Sequence, residues 1–288
     1  MRRRLDAELV RRGLAETRTQ ARCQIESGRV RVAGTVATKA ARLVDPSEPL
    51  LLEGEPPRYV GRGGTKLEHA LDAFGLDPEG LRVLDAGAST GGFTDCLLQH
   101  GAGHVVALDV GHGQLHPRLR DHDAVTVLER TNLRHVDPDQ LGPFDAAVAD
   151  LSFISLTAVM EVLVRLVRPS GWLVLLVKPQ FEAGRREVSR GRGVITDPEV
   201  WRAALWSVIG SAEGHGAEVR GIVESPVRGA EGNREFLLHL VVPDDVAGRR
   251  AARDAGPTDL EPTAAARRLV DRVVETGAGA HDLDGAAG

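Results

Sequence analysis

The sequence reads as an α/β protein: a mostly parallel, seven-stranded sheet covered on both faces by helices and preceded by a small α+β head. Between residues 65 and 243, short β-branched runs alternate with helical segments, and such alternation builds a parallel sheet buried on both sides. Residues 1–55 lack that alternation and read as two short helices followed by brief strands. Charge divides along the same line. Residues 1–66 hold 14 Arg or Lys against 8 Asp or Glu, leaving 22 against 33 in the remainder of a chain whose net charge is −5. A basic head on an acidic body admits two readings, contact with a polyanion or a solvated arginine-rich surface.

In the head, Leu5, Leu9 and Val10 share one helical face, and Gly13 stops that helix. Thr17 or Thr19 caps a second helix with Ala21 and Ile25 inward, ended by Gly28. VRVAGTVATKAARLV and PLLLEG supply short strands around a turn at Gly34. PPRYVGRGG makes residues 56–64 a linker. In the large domain, residues 65–243, TKLEHALDAFGL opens as a helix. The seven strands are LRVLDAG, HVVALDV, AVTVLE, FDAAVADL, GWLVLLVK, AEVRGIVE and EFLLHLVV, the last expected to run antiparallel. Residues 244–288, rich in Ala, Gly and Asp, read as a disordered tail with one short helix at TAAARRLVDRVV.

No apolar run is long enough to span a bilayer, and MRRRLDAELV turns polar before a signal-peptide core could form, so a cytoplasmic protein is expected. Cys23 and Cys96 lie far apart without ligand spacing, which suggests neither a disulfide framework nor a metal site.

The stretch VLDAGASTGGFTD, Val83 to Asp95, runs from a strand through a glycine-rich turn into a helix. A dinucleotide site would want glycine where Ser89 stands, and a P-loop would place lysine where Phe93 follows Gly92. The turn therefore suits a ligand without phosphates, and S-adenosylmethionine is one. Asp85 and the backbone of Gly87, Ala88, Ser89, Thr90, Gly91 and Gly92 can hold its methionine end. Asp109, 22 positions after Gly87, can accept hydrogen bonds from the ribose hydroxyls. Asn132 is either a contact to the adenine edge or a turn former. The pattern D-x-G-x-x-x-G-G resembles motif I of the class I (Rossmann-like) methyltransferases.

Two methyl acceptors lose ground on residue content. The loop ADLSFISL has no Pro-Pro of the kind that serves base amino groups. Neither cysteine sits where a ring-carbon nucleophile would be needed. A ribose 2′-hydroxyl remains, and it needs help losing its proton. Lysine can give that help where arginine cannot, and among 36 basic residues only Lys39, Lys66 and Lys178 are lysines. Lys178, Asp150 and Glu235 fall at strand ends on the edge where a doubly wound sheet binds ligands, and Lys66 opens the first helix of the domain.

RLDAELVRRGLAETRTQARCQIESGRVRVAGTVATKAARLV is similar, nearly position for position, to the S4 RNA-binding domain. That resemblance implies RNA contact through Arg3, Arg4, Arg18 and Arg22, to which Arg62 of the linker is added. The Lys66, Asp150, Lys178, Glu235 set resembles the FtsJ-like ribose methyltransferases. With RYVGRGGTKL, DAGASTGGFTD, ERTN, DLSFISL, LVKPQFE and GNREF in that order, the chain resembles the TlyA (hemolysin A) family of ribosomal RNA 2′-O-methyltransferases. This implies methylation of cytidine ribose in ribosomal RNA of one or both subunits, with those four residues as the catalytic set. The linker departs from the family, Arg58-Tyr59-Val60 standing where Arg-x-Trp-Val can occur. GRREVSRGRG is either a basic lid over RNA or a solvated loop. The alternative overall is an S4-type RNA-binding assembly factor without catalysis.

Overall fold

The computed structural model describes residues 2–15, 18–54, 57–183, 194–229, 231–244 and 262–284. The cap at Thr17 and the segment GRREVSRGRG lie outside them. In the head, β1 (Arg3–Arg4) runs directly into α1 (Leu5–Arg11), and α2 (Arg18–Glu26) packs across it. β2 (Val30–Val32), β3 (Thr35–Val36), β4 (Leu43–Val44) and β5 (Leu50–Leu52) follow. β2 lies between β3 and β5 in an antiparallel sheet, and β1 pairs with β4. Leu5, Leu9, Ala21 and Ile25 are fully buried with Val30, Val32 and Val44. Val10, expected on that face, is only half-buried beside them.

The large domain runs α3 (Gly63–Phe74), β6 (Arg82–Ala86), α4 (Gly92–Gln99), β7 (His104–Leu108), α5 (Pro117–Arg120) and β8 (Val125–Leu128). It continues with α6 (Pro138–Leu141), β9 (Phe144–Ala149), α7 (Met160–Leu166), β10 (Val167–Val177), α8 (Pro179–Glu182), α9 (Pro198–Gly214), β11 (Glu218–Glu224) and β12 (Phe236–Val241). The sheet order is β11-β12-β10-β9-β6-β7-β8, parallel from β10 to β8, with β12 antiparallel to both its neighbours. All seven expected strands are present.

Side-chain alternation along these strands feeds two cores. Val83, Val105, Val148, Val174 and Leu176 pack against Leu67, Leu71 and Leu97 of α3 and α4. Leu84, Val106, Ala147, Leu173 and Leu175 pack with Leu163, Trp201 and Leu205 of α7 and α9. With helices on both faces, strand ends are the part of the sheet left open to ligands.

The helix expected at TAAARRLVDRVV is present and runs further, α10 (Ala264–Asp284). Ala266, Val270 and Val274, spaced four apart, are buried in the same core as α9. Arg202 of α9 donates to Asp271 at 3.0 Å, and Thr263 donates to Glu213. An apolar stripe within an Ala- and Arg-rich helix was enough to dock it, although the flanking composition suggested otherwise. Among the described residues, no helix is long and apolar enough to cross a membrane.

Candidate active site

The glycine-rich turn sits between the ends of β6 and β7. Gly87 and Ala88 donate their N–H groups to the Leu108 carbonyl at 2.8 and 3.1 Å, and Ser89 donates to Asp109 Oδ2 at 2.8 Å. Gly87 is left-handed (φ 85), and a Cβ there would lie 2.6 Å from the Asp150 carbonyl oxygen, so conformation and close approach both require glycine. Asp109 is held rigidly, since its Oδ1 also accepts from Gly111 N–H at 2.6 Å.

Asp85 is fully buried under the turn. Its Oδ2 accepts from Thr94 Oγ1 at 2.6 Å, while Oδ1 has no partner among the described residues. Burial, helped by the charges of Asp150 and Asp109, pushes its carboxyl up to about 7. An unsatisfied buried acceptor is costly, and Asp85 lies beneath the turn without lining either of the two cavities at this rim.

Two adjoining cavities open at this rim. One, of about 520 Å³, is lined by Gly87, Ser89, Asp109, Asn132, Asp150 and Phe153, among others. The other, about 170 Å³, is lined by Gly87, Ala88, Ser89, Thr90, Gly92 and Lys178 together with Gly63, Phe93, Asp150 and Ser152. Gly91, at φ 97, shapes the turn without lining either, because Leu115 and Leu119 close over it. Asn132 proves to be a turn former, its side-chain oxygen accepting from Arg134 N–H at 3.0 Å, and it also lines the larger cavity.

The order β12-β10-β9-β6-β7 sets Glu235, Lys178, Asp150, Gly87 and Asp109 along one edge. Val177 pairs with Phe236, which places Lys178 and Glu235 next in register across two antiparallel strands. Lys178 Nζ lies 2.6 Å from Asp150 Oδ1 and donates to Ser152 Oγ at 3.0 Å. Lys66 Nζ lies 2.5 Å from Glu235 Oε2. Both lysines are buried, 7 % exposed for Lys66 and 8 % for Lys178. The four residues therefore form two lysine–carboxylate pairs.

Lys66 reaches the rim because α3 lies backbone-close to α4. A Cβ on Gly92 would sit 3.0 Å from Gly64 N, and one on Gly64 would sit 2.2 Å from the Tyr59 ring. The linker is fastened to the same place: Val60 N–H donates to Asp95 Oδ2 at 2.8 Å, and Arg118 reaches that oxygen at 2.5 Å. Tyr59 is buried among Leu67, Phe93 and Leu97, and burial chiefly drives its phenol pKa upward. Cys96 is fully buried, its thiol pushed up to about 12 chiefly by burial, an environment for an inert thiol.

Sequence reasoning missed several groups here. Ser152 contacts Lys178, while Glu182 accepts from Ser155 Oγ at 2.5 Å and Leu156 N–H at 2.9 Å, fixing the loop after β9. In that loop Phe153 is left-handed (φ 65) and 92 % exposed, its ring 5.3 Å from that of Phe181. The quoted motifs DLSFISL and LVKPQFE contain all of these, but only the fold shows that they meet.

Of the five arginines expected at RNA, Arg3 is exposed on β1 and Arg62 is half-buried just before α3. Arg4, Arg18 and Arg22 converge on one buried carboxylate, Asp6. Among the described residues, no group of three or more His, Cys, Asp or Glu could hold a metal ion.

Comparison with known proteins places these features. Residues 59–241 match the model for FtsJ-like methyltransferases, and residues 3–50 match the S4 domain. The chain is 47 % identical to the Mycobacterium tuberculosis 16S/23S rRNA (cytidine-2′-O)-methyltransferase TlyA over 85 % of this chain and 92 % of that one. It is 38 % identical to hemolysin A of Brachyspira hyodysenteriae over 83 % of this chain and all of that one. A solved structure from Streptococcus thermophilus, described as a candidate hemolysin, superposes with a TM-score of 0.70 at 37 % identity, covering 98 % of both chains.

Proposed function

This chain belongs to the FtsJ-like methyltransferase family, in the S4-headed branch that holds the TlyA relatives, and from that premise we propose that it methylates the 2′-hydroxyl of cytidine ribose in ribosomal RNA. The methyl donor is S-adenosylmethionine. The observation carrying this reading is the rim itself: two buried lysine–carboxylate pairs set beside a glycine turn and its cavities.

The residues present fit that donor. Asp85 offers an unpartnered oxygen below the turn, and Gly87 allows the ligand and the Asp150 backbone to approach the same strand end. Asp109 can receive the ribose hydroxyls, and the amide nitrogen of Asn132 can face the adenine edge. When bound, the donor supplies an electrophilic methyl group on a sulfonium centre. The protein then has to align a hydroxyl and manage its proton.

Lys178 does the second task, its Nζ stabilising the 2′-oxygen or taking its proton. Asp150 and Ser152 fix that amine at the cavity wall, the carboxylate by a short contact of 2.6 Å and the hydroxyl at 3.0 Å. Glu235 holds Lys66 and stands next to Lys178 in register, so the second pair sets the local charge beside the first. Much of the acceleration comes from holding two bound reactants in line.

The head and linker supply the RNA contacts through Arg3, Arg4, Arg18, Arg22 and Arg62, and ribosomal subunits are the proposed partners. The decisive experiment is transfer of labelled methyl groups from S-adenosylmethionine to unmodified ribosomal subunits, followed by mapping of the modified nucleotide. A single labelled cytidine ribose is expected. Binding of subunits without any labelling would instead favour the assembly-factor reading, against which the intact rim argues.

A further inference from the structure

We propose that Asp6 is a positioning residue that gathers Arg4, Arg18 and Arg22 into one preformed phosphate-gripping cluster, so that RNA affinity depends on their order and not on their charge alone. The inference rests on the RNA-directed function proposed above. Asp6 is the second residue of α1 and its side chain is fully buried; Arg4 reaches it from β1, just before that helix, and Arg18 and Arg22 reach it from α2. Arg4 binds it in a fork, Nε to Oδ1 and Nη2 to Oδ2, both at 3.1 Å. Arg18 Nη2 reaches Oδ2 at 2.9 Å and Arg22 Nε reaches it at 3.4 Å, while Ala7 N–H donates to Oδ1 at 2.9 Å.

The arginines themselves stay open to solvent, their side chains 43 %, 54 % and 54 % exposed. Three guanidiniums around one carboxylate leave a surplus of two positive charges. A guanidinium has five donors in a planar fork, so each arginine keeps N–H groups for an outside acceptor after meeting Asp6. Phosphate oxygens are the acceptors that such a fork matches. Like charges would otherwise spread these long side chains over many rotamers, and the buried carboxylate holds them together before RNA arrives.

The neighbouring cluster shows the contrast. Glu8 also holds two arginines, Arg11 and Arg12, but Arg12 spends its remaining donors on the carbonyls of Glu48 at 2.8 Å and Pro46 at 2.9 Å. That cluster ties the head's own chain together, whereas no such inward carbonyl is recorded for the Asp6 arginines among the described residues.

The test exploits opposite signs. Asp6→Asn keeps the shape and adds one positive charge, so counterion release by itself predicts tighter binding to RNA. Positioning predicts the reverse: for the full chain on unmodified ribosomal RNA transcript, Kd rises about tenfold at fixed salt, with a shallower salt slope. KM for RNA should rise likewise, while kcat and affinity for S-adenosylmethionine stay within about twofold. Binding by Asp6→Asn as tight as wild type, or tighter, overturns the proposal. Should that variant unfold the head, Arg18→Lys and Arg22→Lys keep the charge and lose the fork. Each is then expected to weaken binding several-fold, and unchanged affinity in both is equally fatal. Failure of the wild-type chain to bind the transcript would remove the functional reading itself, and this proposal with it.

Discussion

In the head, one buried carboxylate serves three exposed guanidiniums, whereas at the sheet's rim each buried lysine has a carboxylate to itself. The head's surplus of charge faces solvent and suits a polyanion. The rim's charges are balanced and withdrawn from water, where a single proton can matter more than net charge. The choice of cation follows the same division. The head uses arginine, whose planar fork suits phosphate oxygens, and the rim uses two of the three lysines in the chain, compact donors each held by one carboxylate.

The sharpest way to break this comparison is Lys178→Ala, expected to lower kcat by roughly a thousandfold. Affinity for the methyl donor, measured calorimetrically, should stay within about threefold. Retention of full activity would mean that the rim's balance of charge serves only stability. Gly87→Ala should come next, weakening donor binding by roughly a hundredfold, since the new Cβ would meet the Asp150 carbonyl at 2.6 Å in a left-handed residue. Lys66→Ala and Glu235→Gln each remove half of the second pair. Each should cost roughly ten- to a hundredfold in kcat while leaving the Kd for RNA unchanged, in contrast to Asp6→Asn.

Two smaller tests set the regions against each other by the sign of their pH dependence. Burial raises Asp85 from 3.8 to about 7, so the folded state holds its proton more tightly than the unfolded chain does. Its contribution to stability is complete below 3.8 and disappears as pH rises through 7. Asp85→Asn should therefore raise Tm at pH 8 and gain little at pH 4.

Glu8 in the head has the opposite shift, lowered from 4.5 to about 2 by the Arg11 and Arg12 hydrogen bonds against the pull of burial. Its stabilisation is present above 4.5 and vanishes as pH falls toward 2. Glu8→Gln should cost about 1 kcal/mol at pH 7, since its partners are partly exposed and screened. The difference from wild type should close in acid. Thermal scans across pH on both variants check the pair; parallel curves would show that the two acids do not differ as described.

Much of this was legible in the chain. The alternation of strands and helices defined the sheet, and the run from Asp85 through Gly87 to Gly92 marked a glycine-rich turn at a strand end, because strand ends and glycine turns are local features. In the sequence Asn132 fits two roles, and the fold shows the turn at its oxygen while leaving the residue on the cavity wall. Tyr59 departed from the family's linker, yet it fills a buried aromatic position against Gly64 and Phe93. The C-terminal helix is legible at TAAARRLVDRVV, but its docking is not, since the stripe of Ala266, Val270 and Val274 is apolar only on one face and needs α9 to cover it.

By itself, then, the sequence determined the strand count, the glycine turn, the basic head and the scarcity of lysine, all of which depend on residues near one another along the chain. Tertiary structure alone decided that Lys66 would face Glu235 and Lys178 would face Asp150, since these partners lie 169 and 28 positions apart. It likewise decided that Asp6 would hold Arg18 and Arg22 of α2 beside Arg4 of β1. Pairing of buried charges is settled by which side chains the packed backbone brings within about 3 Å, and nothing in local composition encodes that distance.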